Sequence, residues 1–376
     1  MFKQKICIIG NGLTGLTTAL ILGKLNLDVH LIAAPDRKKR KDIRATAISE
    51  SNYKSLINFI SKKYLKIFFQ SKEIDLYKEH SSGIKHFMNL SKKDKNLMFL
   101  FQNEILKKLI QRKINKYKNL KTYYNKVSQI DVEKNKVFFS NKKISYDAIF
   151  VCTGSKSEIV KKIFGDRIIE KNTDEIAFTS IVNHNSNIEN AKQFFLKEGP
   201  MAILPLNKKK FSFVWSVNSK FKNQNPAAIV INKLKEILKL KGDFSTSKID
   251  CFPISFKFRP NFNKKNILVL GEGSYNVHPV AGQGFNLILR DIFYLNNKIS
   301  EYIKNGIQIK DSLLINEYLK QRKPENLLFG LGINFVNNFF KYNEITEPIK
   351  KVILKDINKF NILKDISLRV SNKGIF

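Results

Sequence analysis

Arginine is scarce in this chain: only 9 of its 67 basic residues are Arg, and the others are Lys. Acidic residues are also few, 32 in all, which leaves a formal net charge of +35. Bidentate recognition of guanine or phosphate favours the planar guanidinium. The missing arginines therefore argue against a nucleic-acid partner in spite of the charge. The lysine surplus accompanies abundant Asn, Ile and Phe and reads as compositional bias on a solvated basic surface. The alternative is an anionic partner surface, membrane lipid ahead of nucleic acid.

Cysteine is nearly absent. Cys7, Cys152 and Cys251 lie far apart and are odd in number, which excludes a disulfide framework and a zinc spacing and fits a reducing cytoplasm. His30, His80, His86 and His184 show no ligand spacing, so no metal site is expected. Long apolar runs are missing too. The longest late one, Leu327 to Phe340, is short and interrupted by Asn, too little to span a bilayer. Met1 leads straight into a buried-strand pattern, which leaves no room for a signal peptide. A soluble or peripheral protein is expected.

Against these absences stands ample material for a core. Apolar residues make up 43% and aromatics 11% of 376 residues, which rules out disorder. With 17 Gly and 9 Pro the chain is not fibrous. Its length predicts two to three domains or one large α/β domain with insertions. Lys5–Ile9 and Asp28–Ile32 read as buried parallel strands flanking a helix, Asn11 to Leu25, with Leu13, Leu16, Ala19, Leu20 and Leu25 on its apolar face. A helix is expected near Ser49 to Lys62 and another from Leu100 to Tyr117. Short strands are expected at Ile74–Tyr77, Ile84–Met88, Thr122–Tyr124, Val127–Val132, Val137–Phe139 and Ala148–Val151. Residues 175–258 alternate like antiparallel sheet, at Ile176–Val182, Met201–Leu206, Phe211–Val217 and Cys251–Ser255, around one helix, Ala227 to Leu240. A last strand, Ile267–Leu270, precedes a glycine-rich loop and a helix from about Gly284. The tail, 300–376, reads as helical.

Three segments carry chemistry. Gly10-Asn11-Gly12-Leu13-Thr14-Gly15 is a GxGxxG fingerprint between a strand and a helix. Gly10 permits the tight turn, Gly12 lets backbone approach a pyrophosphate, and Gly15 permits close helix–strand packing, while the helix N-terminus favours the anion. The acid that should follow the second strand is missing from Ile32-Ala33-Ala34-Pro35, and Asp36 is the nearest carboxylate. Asp42-Ile43-Arg44-Ala45-Thr46-Ala47-Ile48-Ser49 offers an arginine whose fork suits phosphate or substrate oxygens. The most telling is Val269 to Leu287, where Gly271-Glu272-Gly273 ends a strand and His278-Pro279-Val280-Ala281-Gly282-Gln283-Gly284-Phe285-Asn286 enters a helix. Glycines there let backbone N–H groups lie against a flat anionic ring.

These segments, with Asn103-Glu104-Ile105-Leu106, Gly199 to Leu206, Phe213-Val214-Trp215-Ser216 and Phe252-Pro253-Ile254-Ser255, make the chain resemble the FAD-dependent aromatic hydroxylases of ubiquinone biosynthesis, within the p-hydroxybenzoate-hydroxylase-like flavin monooxygenases. The resemblance runs to about residue 300. It implies an α/β fold in which a doubly wound, Rossmann-like FAD-binding domain (1–70, 96–172 and 260–300) interleaves with an antiparallel-sheet substrate domain (71–95 and 173–259), followed by a C-terminal helical region (301–376). It implies FAD held by Gly10, Gly12, Leu13, Thr14, Gly15, Arg44, Gln102, Asn103, Gly154, Gly271, Glu272, Pro279, Gly282, Gln283, Gly284, Phe285 and Asn286, with Pro279 at the reacting edge. Pro279 and His278 are the candidate catalytic residues, His278 either as an acid/base or as the residue that shapes the loop before Pro279. The implied chemistry is reduction of FAD by NAD(P)H, capture of O2 as a flavin C4a-hydroperoxide and hydroxylation of a polyprenylated aromatic ring. The implied setting is cytoplasmic, peripheral at the inner membrane, beside other ubiquinone-biosynthesis proteins. A diverged or non-catalytic FAD-binding protein of the same fold remains the alternative. The sequence departs from the family pattern at Thr153, where an acid is usual, and at Gly271-Glu272, where Gly-Asp is usual.

Overall fold

A computed structural model of the protein describes residues 3–35, 42–239, 244–277, 284–311 and 313–341. At its centre Lys5–Ile9 pairs in parallel with Asp28–Ile32 on one side and Ala148–Val151 on the other. The full sheet has six strands, ordered Asn263–Lys264, Ile267–Val269, Ala148–Val151, Lys5–Ile9, Asp28–Ile32, Leu120–Tyr123. Only the first of these runs antiparallel to its neighbour. Ile6, Cys7, Ile8 and all of Ala148–Val151 are fully buried, the burial that continuous apolar runs foretell for a covered parallel sheet.

The helix expected from Asn11 to Leu25 spans Leu13–Leu22 and buries every residue from Gly15 onward. The one-faced pattern was too narrow a reading, because a helix wrapped on all sides is apolar all round. It packs between the helices Asn103–Ile114 and Gly284–Lys304.

A second, nine-stranded sheet is built from Glu73–His80, Gly83–Ser91, Ile169–Asn183, Ala191–Phe195, Pro200–Asn207, Lys210–Asn218, Ser245–Thr246, Asp250–Phe258 and Tyr275–Asn276. Its pairings are antiparallel except for Ala191–Phe195 beside Glu73–His80. One face packs Phe178, Phe211, Phe213 and Trp215 with Val230 and Leu234 of the helix Pro226–Leu238.

Between the two sheets lies a small third one, Ala45–Ser49, Met98–Gln102 and Phe69–Ser71. This corrects two expectations. Met98–Gln102 is strand, and the helix placed from Leu100 begins at Asn103. Residues 45–49 are strand as well, and the helix placed near Ser49 to Lys62 spans only Glu50–Ile57, capped by the Ser49 hydroxyl. Ala47 and Leu100 pack on Leu204 of the large sheet, while Ile48, Phe99 and Phe101 join the core cluster of the parallel sheet. The helices Gly284–Lys304 and Leu314–Lys341 pack on each other at the C-terminal end.

Candidate functional site

The turn after the first strand shows why its glycines are where they are. Gly10 has φ +120°, and an added Cβ would stand 2.4 Å from the Cys152 carbonyl oxygen. A Cβ on Gly15 would stand 2.0 Å from the Gly10 carbonyl oxygen. Gly12 differs, since a Cβ there would meet nothing within 4 Å. Gly12 caps the helix Leu13–Leu22 with no side-chain hydrogen bond, and the first turn holds no acid. The helix thus presents uncapped N–H donors and the positive end of its dipole to open space, an anion cradle.

That space is a cavity of about 1450 Å3. It is lined by Gly10, Gly12, Leu13, Thr14, Arg44, Asn103, Gly154, Glu272, Gly284, Phe285 and Asn286 among the residues expected from sequence. Three others stand behind the wall. Gly15 packs under Gly10, Gln102 pairs through its backbone with Ala45, and Gly271 lies where a Cβ would be 3.0 Å from Thr14 Oγ1. His278, Pro279, Gly282 and Gln283, like Asp36, fall outside the described residues.

Arg44 is not alone in the wall. Its Nε and Nη2 donate to the two carboxylate oxygens of Asp42 at 2.8 and 2.9 Å, and its backbone N–H donates to Asp42 Oδ1 at 3.1 Å. Asn103 Nδ2 donates to Asp42 Oδ2 at 3.3 Å, and Asn103 Oδ1 accepts from Thr46 Oγ1 at 2.6 Å. Burial alone would push the Asp42 carboxyl up, but the hydrogen bonds and charge of Arg44 outweigh it and hold it below the ordinary range. The Asp42 hydrogen bond in turn raises Arg44. Sequence reasoning passed over Asp42 as a site residue; its position two residues before Arg44, an Asx-turn spacing, was the available signal.

Asn286 is 2% exposed and spends its amide on protein. Its Oδ1 accepts from Ser49 N and Asn52 Nδ2, each at 2.8 Å, and its Nδ2 donates to the Ala47 carbonyl at 3.0 Å. At the acid-less position, Thr153 Oγ1 donates to Ser157 Oγ at 2.5 Å, which caps the helix Glu158–Phe164. Glu272 is exposed on the turn Gly271–Gly273.

The rest of the wall is different in kind. Ile74, Leu76, Leu90, Leu204, Val214 and Ile254 of the large sheet make it apolar, while Lys92, Lys95 and Lys192 also line it. Among the described residues no three His, Cys, Asp or Glu side chains converge as a metal cluster would require.

No family model matches the chain. It is similar to the mitochondrial ubiquinone biosynthesis monooxygenase of Dictyostelium discoideum, 26% identical over 218 residues, covering 48% of this chain and 43% of that one. The corresponding protein of Danio rerio is 24% identical over 247 residues, 55% and 51% of the two chains. The 3-demethoxyubiquinol 3-hydroxylase of Escherichia coli is 23% identical over 168 residues, 44% and 43% of the two. In these matches the chain spans about half the length of its curated relatives.

Among solved structures, p-nitrophenol 4-monooxygenase from Pseudomonas putida superposes with a TM-score of 0.81 at 16% identity, over 100% of this chain and 99% of the other. A probable FAD-dependent monooxygenase from Pseudomonas aeruginosa gives 0.73 at 16% identity, over 97% and 100%. The fold is that of the flavin monooxygenases, along the length of the chain.

Proposed function

We propose that this chain binds FAD in the glycine cradle and, with NAD(P)H and O2, hydroxylates the aromatic ring of a polyprenylated ubiquinone precursor. The observation that carries this reading is one continuous cavity of about 1450 Å3 joining a helix N-terminus to an apolar sheet wall. That exceeds the ~300–1,000 Å3 of a single ligand pocket, room for a dinucleotide and a second, apolar ligand together. The relatives' names support the substrate class.

In this reading Gly10, Gly12, Leu13 and Thr14 would receive the pyrophosphate, with Arg44, Asn103 and Gly154 lining the same cavity and Gln102 behind its wall. Glu272 would accept from ribityl hydroxyls, and Gly284, Phe285 and Asn286 would border the flavin ring; the assignment of Gly282, Gln283, His278 and Pro279 to the same ring follows from the resemblance. FAD supplies electron transfer from NAD(P)H and activation of O2; the protein orients the two rings and excludes water. Residues 1–70, 96–172 and 260–300 would form the cofactor domain, 71–95 and 173–259 the substrate cover, and 301–376 a helical appendage. The prenyl tail would lie along Ile74, Leu76, Leu90 and Leu204.

No described helix is long and apolar enough to cross a membrane. Leu328 and Leu331, a turn apart on the last helix, are about half exposed at 47% and 49%. With the basic charge they support peripheral contact with an anionic bilayer. Salt-sensitive co-flotation with anionic vesicles, absent with neutral ones, is the check.

The test of the main reading is the visible spectrum of the purified chain titrated with FAD. Bands of bound oxidised flavin, bleached by NAD(P)H, restored by air and coupled to hydroxylation of a prenylated phenol, are expected. A protein that takes up no FAD overturns the reading. Thr153, neutral and bonded to Ser157, favours one second reading, a non-catalytic FAD-binding protein; it takes over if flavin binds and no product forms.

A further inference from the structure

Behind the cavity wall the chain buries a charged cluster that the proposed reaction does not use. Asp291 on the helix Gly284–Lys304 is 1% exposed. It accepts from Tyr275 Oη at 2.6 Å, from Arg322 Nε at 2.8 Å and from Asn326 Nδ2 at 3.0 and 3.1 Å. Arg322 also bonds Glu325 and donates to Asn326 Oδ1 at 3.3 Å. Arg290 completes the group, 3.9 Å from Glu325 and with its guanidinium 5.1 Å from the Phe329 ring centroid. Two carboxylates thus face two guanidiniums. Burial and the Asp291 carboxylate push the Tyr275 phenol well above its ordinary value, so it stays a donor.

Removing such charges from water is expensive, and apolar side chains of similar volume dock helices as well or better. What ions add is uniqueness, because an arginine fork fits a carboxylate in few geometries. The cluster therefore fixes how the helix Leu314–Lys341 seats on the helix Gly284–Lys304. Its far end is not neutral ground. Tyr275, Asn276 and Val277 are consecutive residues of the cavity wall, and the helix backbone reaches them directly: a Cβ on Gly330 would stand 3.3 Å from Val277 Cγ1 and 2.9 Å from the Phe256 ring.

We infer that Arg322 is a positioning residue for the ligand cavity, acting through Asp291 and Tyr275 so that the last described helix sets the wall at Tyr275–Val277. The inference rests on the FAD reading. It is a structural coupling with no chemistry of its own.

The test compares wild type, Arg322→Lys and Tyr275→Phe by thermal unfolding, FAD dissociation constant and visible circular dichroism of bound flavin. Arg322→Lys keeps the charge and loses the fork; Tyr275→Phe keeps the ring and loses only the hydroxyl. Expected are folded variants, FAD bound about three- to tenfold more weakly in Arg322→Lys, and altered flavin dichroism in both. Lowered melting with wild-type FAD affinity and dichroism in both variants would reduce the cluster to helix docking and overturn the inference. Should Arg322→Lys not fold, the dichroism of Tyr275→Phe decides alone. A wild type that takes up no FAD brings down the parent reading and this one together; a wild type that binds, with indistinguishable variants, brings down only this one.

Discussion

The side-chain oxygen of Asn286 accepts the backbone N–H of Ser49 at 2.8 Å, across 237 residues of sequence. The first turn of the helix Gly284–Lys304 is thereby tied to the end of the bridging strand Ala45–Ser49. Asn286→Ala would remove the side-chain acceptor of the buried Ser49 N–H and one of the two acceptors of Asn52 Nδ2, which keeps the Asn286 carbonyl at 3.2 Å. The expected loss is about 2–4 kcal/mol, read as a lower urea midpoint at unchanged slope. A midpoint equal to wild type would show that the clamp carries no weight.

The two glycines of the cradle should fail in opposite ways. Gly10→Ala drives a Cβ to 2.4 Å from backbone at φ +120°, so the fold should lose about 3 kcal/mol or more. Gly12→Asp meets open space, and aspartate is a good N-cap, so melting should hold or rise. Its carboxylate would nevertheless occupy the anion cradle. FAD uptake should fall on the order of a hundredfold or more, and full yellow holoprotein from Gly12→Asp would sink the assignment.

How much of this was legible beforehand depended on the range of the interaction. Lys5–Ile9, Asp28–Ile32 and Ala148–Val151 were read to the residue because a covered parallel strand writes its burial into every position. Leu100–Gln102, the end of the strand Met98–Gln102, was drawn into a helix, since a short apolar run has no period of its own to decide the matter. The strand Ile169–Asn183 was recognised only from Ile176 because its start, Ile169 to Glu175, is polar and does not alternate. Ala191–Phe195 was missed altogether. The fingerprint glycines were legible as chemistry, since their constraint is local. Asn286 was read as a ring-lining group, and it does line the cavity, but its bonds to Ser49, Asn52 and Ala47 reach across more than 230 residues and left no local signal. Asp291 and Arg322 are 31 residues apart, and no motif joins them; only helix packing does.

Stability should fall as the pH drops from 7 toward 5. Burial lowers His30 below its ordinary value, with Asp28 opposing and Lys5, Lys121 and Lys142 assisting. Burial lowers His184 as well. In the unfolded chain both titrate near pH ~6.5. Below that the unfolded state binds protons that the native state resists, so the native state loses ground as the pH falls. Urea midpoints across this range should decline, and His30→Gln should flatten the decline. A flat profile in the wild type would mean that both histidines charge in place without cost.

Arg44 is the residue on which the phosphate assignment turns. Its side chain is 52% exposed and its pair with Asp42 at 2.8 Å lies at the cavity edge, where such a pair adds about 0–1 kcal/mol to stability. Arg44→Ala should therefore leave the melting temperature nearly unchanged. If the guanidinium also reaches the pyrophosphate, the same substitution weakens FAD about tenfold, the order of one charge-assisted hydrogen bond, and lessens the salt dependence of binding. Asp42→Asn separates orientation from attraction. It removes a negative charge beside an anion, which by itself favours binding, and it loosens the fork that Asp42 holds in place. Weaker FAD binding in Asp42→Asn would show that holding the arginine matters more than the local potential. Tighter binding in Asp42→Asn, with Arg44→Ala at wild-type affinity, would place the phosphate contact elsewhere in the cradle.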